Sequence, residues 1–193
     1  MYFVWVQVPS AAPQREYFGT LFSFICYFFE SKCVVLLLST ANCKIDYLSC
    51  DDFSDVIYLF TNSNVRQYLG GVISCDEALE KLNKWIHSTT GKYFVVRDHN
   101  GVFIAVISFS LYENNNIEVS YQFMPQFWGK GVAFEALLAV LDFCKIEFGF
   151  SEIYAETQSN NLRSCKLLEK IGFRHIRSVI RFDEEQSVYY LKF

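Results

Sequence analysis

One short segment constrains the fold and function of this chain more than any other: two closely spaced glycines between a strand-like run and a long helical pattern. They are Gly129 and Gly131, which follow Pro125 and precede the apolar helical repeat beginning at Val132. Glycines at this spacing let the backbone approach a ligand closely, and the first N–H groups of a helix attract an anion such as pyrophosphate. A glycine-rich turn without a ligand is the alternative that spacing alone leaves open.

Two common nucleotide-binding loops do not fit this segment. Phe134 stands where a dinucleotide-binding fingerprint has its third glycine, and Lys130 lacks the preceding glycine frame of a P-loop. The segment therefore predicts another kind of phosphate-binding turn, at the point where a strand passes into a helix.

The apolar periodicity of the chain from about residue 42 predicts a mixed α/β domain. The order is strand, two helices, three antiparallel strands, helix, strand, helix and two strands. The capping box of Ser74 and Glu77 starts the second helix, and Asn100-Gly101 predicts a hairpin turn. Such an order places a ligand at the strand-to-helix joint.

Composition excludes several classes of protein. The chain has 193 residues, enough for one ordinary domain. A net charge of −4 offers no basic face for nucleic acid, and 52% hydrophobic residues exclude disorder. Seven cysteines without CxxC or metal-ligand spacing predict reduced thiols and a cytoplasmic location, rather than a disulfide framework or a metal site.

The first forty residues differ from the rest, and we predict an apolar N-terminal extension over 1–40 followed by the domain over 41–193. Residues 1–38 contain ten aromatic and four charged side chains. The uncharged run over residues 17–29 is too short to cross a bilayer as a helix, and Arg15 alone is a poor start for a signal peptide.

Three interpretations of this extension remain open: an interfacial anchor, an additional packed element, or residues that the cell does not make. We lean to the third, with translation starting at a non-Met codon among residues 34–38. N-terminal sequencing of native protein that found Met1 would refute it.

Three ordered motifs resemble those of a known family. Gln126, Gly129 and Gly131 match the signature Q/R-x-x-G-x-G/A of the acetyl-CoA pyrophosphate loop in the GNAT superfamily of N-acetyltransferases. The wider sequence is similar to the ribosomal-protein-alanine (RimJ/RimL-type) branch at residues 65–71, 121–136 and 161–173. The likeness covers about residues 42–193, and three motifs in order are more specific than the glycines alone.

The resemblance implies the GNAT fold, in the α/β (α+β) class. That fold has a mixed, mostly antiparallel twisted sheet of about six to seven strands, flanked by about four helices. The cofactor lies at a splayed strand joint.

The resemblance also implies acetyl-CoA as co-substrate, with no metal. Amides of the glycine loop would hold the pyrophosphate, the preceding strand end would pair its backbone with the pantetheine arm, and the start of the last helix would lie beside the thioester. The implied cofactor-binding residues are Gln122, Phe123, Met124, Trp128, Gly129, Lys130, Gly131, Val132, Ala133, Asn161 and Ser164.

Candidate acid and base residues follow from the chemistry of direct transfer. The amine must be neutral to attack, so a base must take its proton. Glu118 matches a glutamate common in the branch and is the candidate base, with a surface carboxylate as the equal alternative. Many relatives supply the acid from a tyrosine at the position of Leu168. Ser164 is then the nearest substitute, unless it only caps backbone, and Tyr121 is a weaker one.

These features together predict an acetyl-CoA-dependent N-acetyltransferase in which a primary amine attacks the thioester directly. The acceptor is expected to be a protein N-terminal α-amine or a small amine. The alternative is a non-catalytic acyl-CoA-binding or regulatory module, which Leu168 keeps open. Nucleic acid and membranes are not expected partners, and the chain is expected to be a monomer or a homodimer.

Overall fold

The computed structural model describes residues 37–193 as one sheet with helices on both faces. The interpretations offered for the apolar extension fall mainly on residues 1–36, outside the described residues. The last part of the predicted extension, Leu38–Ser39, is a short strand whose Leu38 is buried in the core.

Eight strands form the sheet in the described part of the chain. They are β1 (Leu38–Ser39), β2 (Lys44–Tyr47), β3 (Lys92–Arg97), β4 (Phe103–Leu111), β5 (Ile117–Phe123), β6 (Glu152–Gln158), β7 (Arg174–Arg181) and β8 (Glu184–Lys192). Their order across the sheet is β1-β2-β3-β4-β5-β6-β8-β7. Neighbouring strands are antiparallel except β5 and β6, which run parallel.

Five helices connect these strands within residues 37–193. They are α1 (Phe53–Phe60), α2 (Ser63–Arg66), α3 (Cys75–Ile86), α4 (Val132–Phe148) and α5 (Leu162–Ile171). The predicted capping box starts α3, with Ser74 and Glu77 each bonding the other's backbone N–H. Gly149 and Gly172 end α4 and α5 in left-handed conformations, as is common at helix C-termini.

Two hydrophobic cores hold the helices against the sheet. The first lies under α4 and α5 and includes Phe94, Phe109, Leu137, Val140 and Leu168. The second lies under α1 and α3 and includes Val56, Leu59, Phe60, Leu82 and Val106. The central strand β4 is buried over residues 103–109 because it contributes to both cores.

The predicted fold class is confirmed, with one more strand and one more helix than expected. The sheet has eight strands rather than six or seven, and five helices rather than four surround it. The additions are β1, of two residues, and α2, of four. Elements this short carry no recognisable periodicity. Among residues 37–193, no helix has both the length and the apolar character needed to cross a bilayer.

Candidate active site

The parallel strands β5 and β6 meet in the sheet and then separate toward their C-terminal ends. In the described residues they are matched at one position, Glu118 opposite Tyr154. By contrast, β5 stays paired with β4, and β6 with β8, along their whole lengths. A gap therefore opens between residues 119–123 of β5 and 155–158 of β6, which we call the fork. Unpaired strand edges such as these can bond the backbone of a ligand.

The end of β5 turns alternate residues toward the fork. The Met124 amide donates to the Ile104 carbonyl at 2.8 Å, so the backbone of Met124 faces β4, as does that of Gln122 two residues earlier. The backbone of Phe123 then faces the fork, and its carbonyl accepts the indole N–H of Trp128 at 2.8 Å. Of the strand-end residues expected to pair with pantetheine, Phe123 has its backbone at the fork, whereas the Met124 amide is used within the sheet.

The loop between β5 and α4 has the shape of an anion-binding turn. Gly129 and Gly131 have left-handed backbones, with φ of 73° and 82°, and a Cβ added at either would meet no atom of the described residues within 4 Å. The space above the loop is therefore open. Gly131 is also the N-cap of the 17-residue α4, whose first N–H groups belong to Val132 and Ala133 and lack partners within the helix.

Three cationic side chains rest on aromatic rings around this loop. The pairs, with the distance from cation to ring centroid, are Lys130–Phe127 (5.8 Å), Arg163–Trp128 (5.0 Å) and Lys170–Phe134 (4.5 Å). They place positive charge beside the open turn, where an anionic ligand would be attracted. Arg163 and Lys170 were not predicted from the sequence. Their spacing of seven, which puts them on one face of α5, was the available signal.

The start of α5 contacts β5 through a pair of hydroxyl groups. Asn161 caps the helix, its Oδ1 accepting the Ser164 amide at 3.3 Å. Ser164 Oγ lies 2.8 Å from the hydroxyl oxygen of Tyr121, and burial raises the pKa of Tyr121 well above its usual value. Leu168, one turn further along α5, is buried and has no proton to donate. The structure thus joins the two residues that the sequence analysis named as substitutes for the missing tyrosine.

Glu118 lies on the opposite face of β5 from Tyr121, because side chains alternate along a strand. Burial and the neighbouring Glu156 carboxylate raise the pKa of Glu118 to about 7, outweighing the lowering effect of a hydrogen bond from the Glu156 backbone and of the Arg181 charge. A carboxylate with such a pKa can accept a proton near neutral pH. These properties distinguish Glu118 from an ordinary surface carboxylate.

Arg181 links two carboxylates next to Glu118. Its Nη1 lies 3.0 Å from Glu156 Oε2 and its Nη2 lies 2.6 Å from Glu113 Oε1. The hydroxyl of Tyr112 donates to the same Glu156 oxygen at 2.6 Å. This cluster was not predicted from the sequence, because its members come from three separate segments and carry no motif.

A turn on the other side of the site is held by a buried arginine. Arg66, at the end of α2, donates to the carbonyls of Leu69 at 2.5 Å and of Gly71 at 2.8 Å. The backbone amides of Leu69 and Gly71 in turn donate hydrogen bonds to the Arg66 carbonyl oxygen, at 3.0 and 3.2 Å. Val65 anchors this turn in the second core, which lies on the Glu118 face of the sheet. The segment 65–71 noted in the sequence is therefore a rigid turn on that face.

Metal ligands are not brought together in the described part of the chain. Residues 37–193 contain no group of three or more His, Cys, Asp or Glu side chains placed to hold a metal ion. The donor set around the fork consists of backbone amides, hydroxyls and the carboxylates of Glu118 and Glu156, and the amides of the glycine loop suit an organic ligand with a phosphate group.

Comparison with known families matches the region just described. A family model for the acetyltransferase (GNAT) domain matches residues 45–174, which include the fork, the glycine loop and α5. A curated relative, an uncharacterized N-acetyltransferase (YnaD) of Bacillus subtilis, is 29% identical over 128 residues, covering 64% of this chain and 75% of the relative.

Solved structures share the fold. The spermidine N-acetyltransferase of Vibrio cholerae, solved with CoA and spermine, superposes with a TM-score of 0.70 at 22% identity, covering 78% of this chain and 95% of that one. An acetyltransferase of the GNAT family from Bacillus anthracis gives a TM-score of 0.69 at 23% identity over the same shares.

Proposed function

The chain belongs to the acetyltransferase (GNAT) domain family, whose members use acetyl-CoA, and we propose that it transfers the acetyl group to a primary amine at the fork. The single observation that carries this proposal is the placement of the open turn at Gly129 and Gly131 next to the gap between β5 and β6. That arrangement fits a ligand with a pyrophosphate at one end and a peptide-like arm at the other.

In this proposal the loop and the strand end bind acetyl-CoA. Amides of residues 128–133 would hold the pyrophosphate, with positive charge supplied by Lys130 and Arg163 on their aromatic supports. The backbone of Phe123 would pair with the pantetheine arm inside the fork. Asn161, which fixes the first turn of α5, would keep Ser164 beside the thioester.

Glu118 would act as the general base for direct attack. The amine nitrogen attacks the thioester carbonyl carbon, a C–N bond forms, and the C–S bond breaks with release of the CoA thiolate. The proton lost by the nitrogen goes to Glu118, directly or through one water. Because both substrates are held together on the protein, no covalent enzyme intermediate is required.

The acceptor would approach from the Glu118 face of the sheet, past the turn held by Arg66. The similarity to the RimJ/RimL-type branch favours a protein N-terminal α-amine. A small amine is favoured by the likeness to the spermidine N-acetyltransferase fold and by the carboxylates of Glu118 and Glu156 on that face, which would attract a cation. A cytoplasmic location and a monomeric or homodimeric state stay predictions.

The test uses the full chain with acetyl-CoA and a panel of amines: polyamines, amino acids, an aminoglycoside and short peptides with free N-termini. Calorimetry measures acetyl-CoA binding, and thiol release with product mass identifies the acetylated amine. We expect binding and one acetylated class of acceptor. A folded chain that binds acetyl-CoA but acetylates no amine would support the non-catalytic module, and failure to bind would refute the cofactor site.

A further inference from the structure

A partly buried tyrosine contacts the serine that would lie beside the thioester. Tyr121 Oη and Ser164 Oγ are 2.8 Å apart, across 43 residues of sequence. The ring of Tyr121 packs against the core under α4 and α5, with its centroid 6.1 Å from that of Phe123. Within residues 37–193, Ser164 is the one hydrogen-bond partner of this phenol group.

Either oxygen could be the donor in this hydrogen bond, and relative acidity favours one direction. Each hydroxyl has one hydrogen to donate and two lone pairs that accept. A phenol is a stronger acid than an aliphatic alcohol and therefore the better donor, and burial keeps Tyr121 protonated by raising its pKa. With Tyr121 as the donor, the hydrogen of Ser164 is left free for another acceptor.

We propose that Tyr121 is a positioning residue, whose hydrogen bond aims the Ser164 hydroxyl at the sulfur atom of the departing CoA thiolate. This inference rests on the function proposed above and adds a residue to it. Tyr121 touches neither substrate and loses no proton. Ser164 also keeps its proton, which forms a hydrogen bond to the negative sulfur as the C–S bond breaks. The amine proton goes to Glu118, and the thiolate takes a proton from solvent after release.

Leu168 explains why the CoA sulfur would need the oriented hydroxyl of Ser164. Leu168 is 1% exposed and apolar, so the α5 turn that follows Ser164 offers the sulfur nothing to bond. A hydrogen bond to a charged acceptor is stronger than one between neutral groups, and an aimed hydroxyl loses less orientational freedom in making it. Tyr121, on strand β5, holds the Ser164 hydroxyl in that orientation.

The test titrates the thiol of bound CoA, whose thiolate absorbs in the ultraviolet, in the wild type, Tyr121→Phe, Ser164→Ala and the double variant. If the serine stabilises the thiolate, the bound thiol titrates about one pH unit lower in the wild type than in Ser164→Ala. Tyr121→Phe should lose part of this shift, and the double variant should match Ser164→Ala. Equal midpoints in wild type and Tyr121→Phe would overturn the proposal.

Turnover gives a second, independent readout. We expect kcat to fall about tenfold or more in Ser164→Ala and about fivefold in Tyr121→Phe, with the affinity for acetyl-CoA retained. In the Ser164→Ala background, Tyr121→Phe should cause no further loss of kcat, since it acts through the serine. Losses that multiply in the double variant would contradict the proposal.

Two controls separate positioning from folding. Tyr189→Phe removes another core phenol, which bonds Glu169 at 3.3 Å, and should leave the thiol titration unchanged. Ser164→Thr keeps a hydroxyl and should retain most of the shift. If the titration depends on Tyr121 and Ser164 as described but no amine is acetylated, the proposed function fails while the hydrogen-bond assignment stands.

Discussion

Glu118 lies directly opposite Tyr154, at the one pair that joins β5 to β6 in the described residues. The fork opens from this pair, so the backbone of Glu118 lies at its closed end. Tyr121 and Ser164 lie on the other face of β5. The candidate base and the candidate thiolate-stabilising group therefore lie on opposite faces of the strand.

Replacing Glu118 by glutamine should abolish most turnover without weakening acetyl-CoA binding. General base catalysis contributes on the order of 100-fold or more to rates, so a loss of about that size in kcat is expected. Because the wild-type carboxylate must be ionised to act, its activity should rise with pH through about 7. Glu80→Gln, which alters an exposed side chain on α3, serves as the control. An unchanged pH profile in Glu118→Gln would exclude Glu118 as the base.

The same substitution should change stability in a pH-dependent way. The pKa of Glu118 is about 7 in the folded protein, above the ordinary 4.5, so folding favours the protonated acid. This contribution is fully present below the unfolded pKa and is lost as the pH rises through 7. The stability of Glu118→Gln, which is always neutral, should then exceed that of the wild type by about 3 kcal/mol at pH 8 and match it near pH 4. Urea unfolding at both pH values measures the difference, and equal stabilities at pH 8 would argue against the raised pKa.

The charges around Glu118 should shift its titration in opposite directions. Glu156→Gln removes a negative neighbour and should move the acidic limb of the kcat/KM profile to lower pH. Arg181→Met removes a positive neighbour and should move it to higher pH. Each shift is expected to be about one pH unit at most. Shifts of the same sign in both variants would show that the cluster acts through structure rather than charge.

A matched pair of glycines on α4 separates backbone strain from ligand binding. Gly131 and Gly149 lie at the two ends of the helix, both left-handed, with φ of 82° and 66°, and both with open space at Cβ. Alanine at either should cost about 1–2 kcal/mol of stability. Only Gly131→Ala should also weaken acetyl-CoA binding, by about tenfold, because its Cβ would enter the anion turn. Calorimetry and thermal unfolding measure the two effects, and equal affinities in both variants would place the pyrophosphate elsewhere.

The features that could be predicted from the sequence of this protein are those that depend on residues close together in the chain. The turn at Gly131 requires positive φ, and the cap at Ser74 requires a side-chain oxygen, so short motifs reveal both. The Arg181–Glu156 pair and the Tyr121–Ser164 contact join residues 25 and 43 positions apart. Such contacts depend on how strands are ordered in the sheet. The pairing of β6 with β8, which brings the last hairpin beside Glu118, is not encoded in any single segment.

The turn held by Arg66 supplies a test of the acceptor side. Arg66→Met would leave the carbonyls of Leu69 and Gly71 without their charged donor, at a cost of about 1–3 kcal/mol in stability. The loosened turn lies on the Glu118 face of the sheet. We therefore expect kcat/KM for the amine to fall about tenfold or more, with the acetyl-CoA dissociation constant unchanged.

Arg174→Met is the matched control for this substitution, because it removes an exposed arginine at the start of β7. It should leave amine kinetics close to wild type. Calorimetry with acetyl-CoA and initial rates over a range of amine concentration distinguish the two sites. If Arg66→Met weakened acetyl-CoA binding as much as amine turnover, the turn would belong to the cofactor side of the fork, and the assignment of opposite entry faces would be wrong.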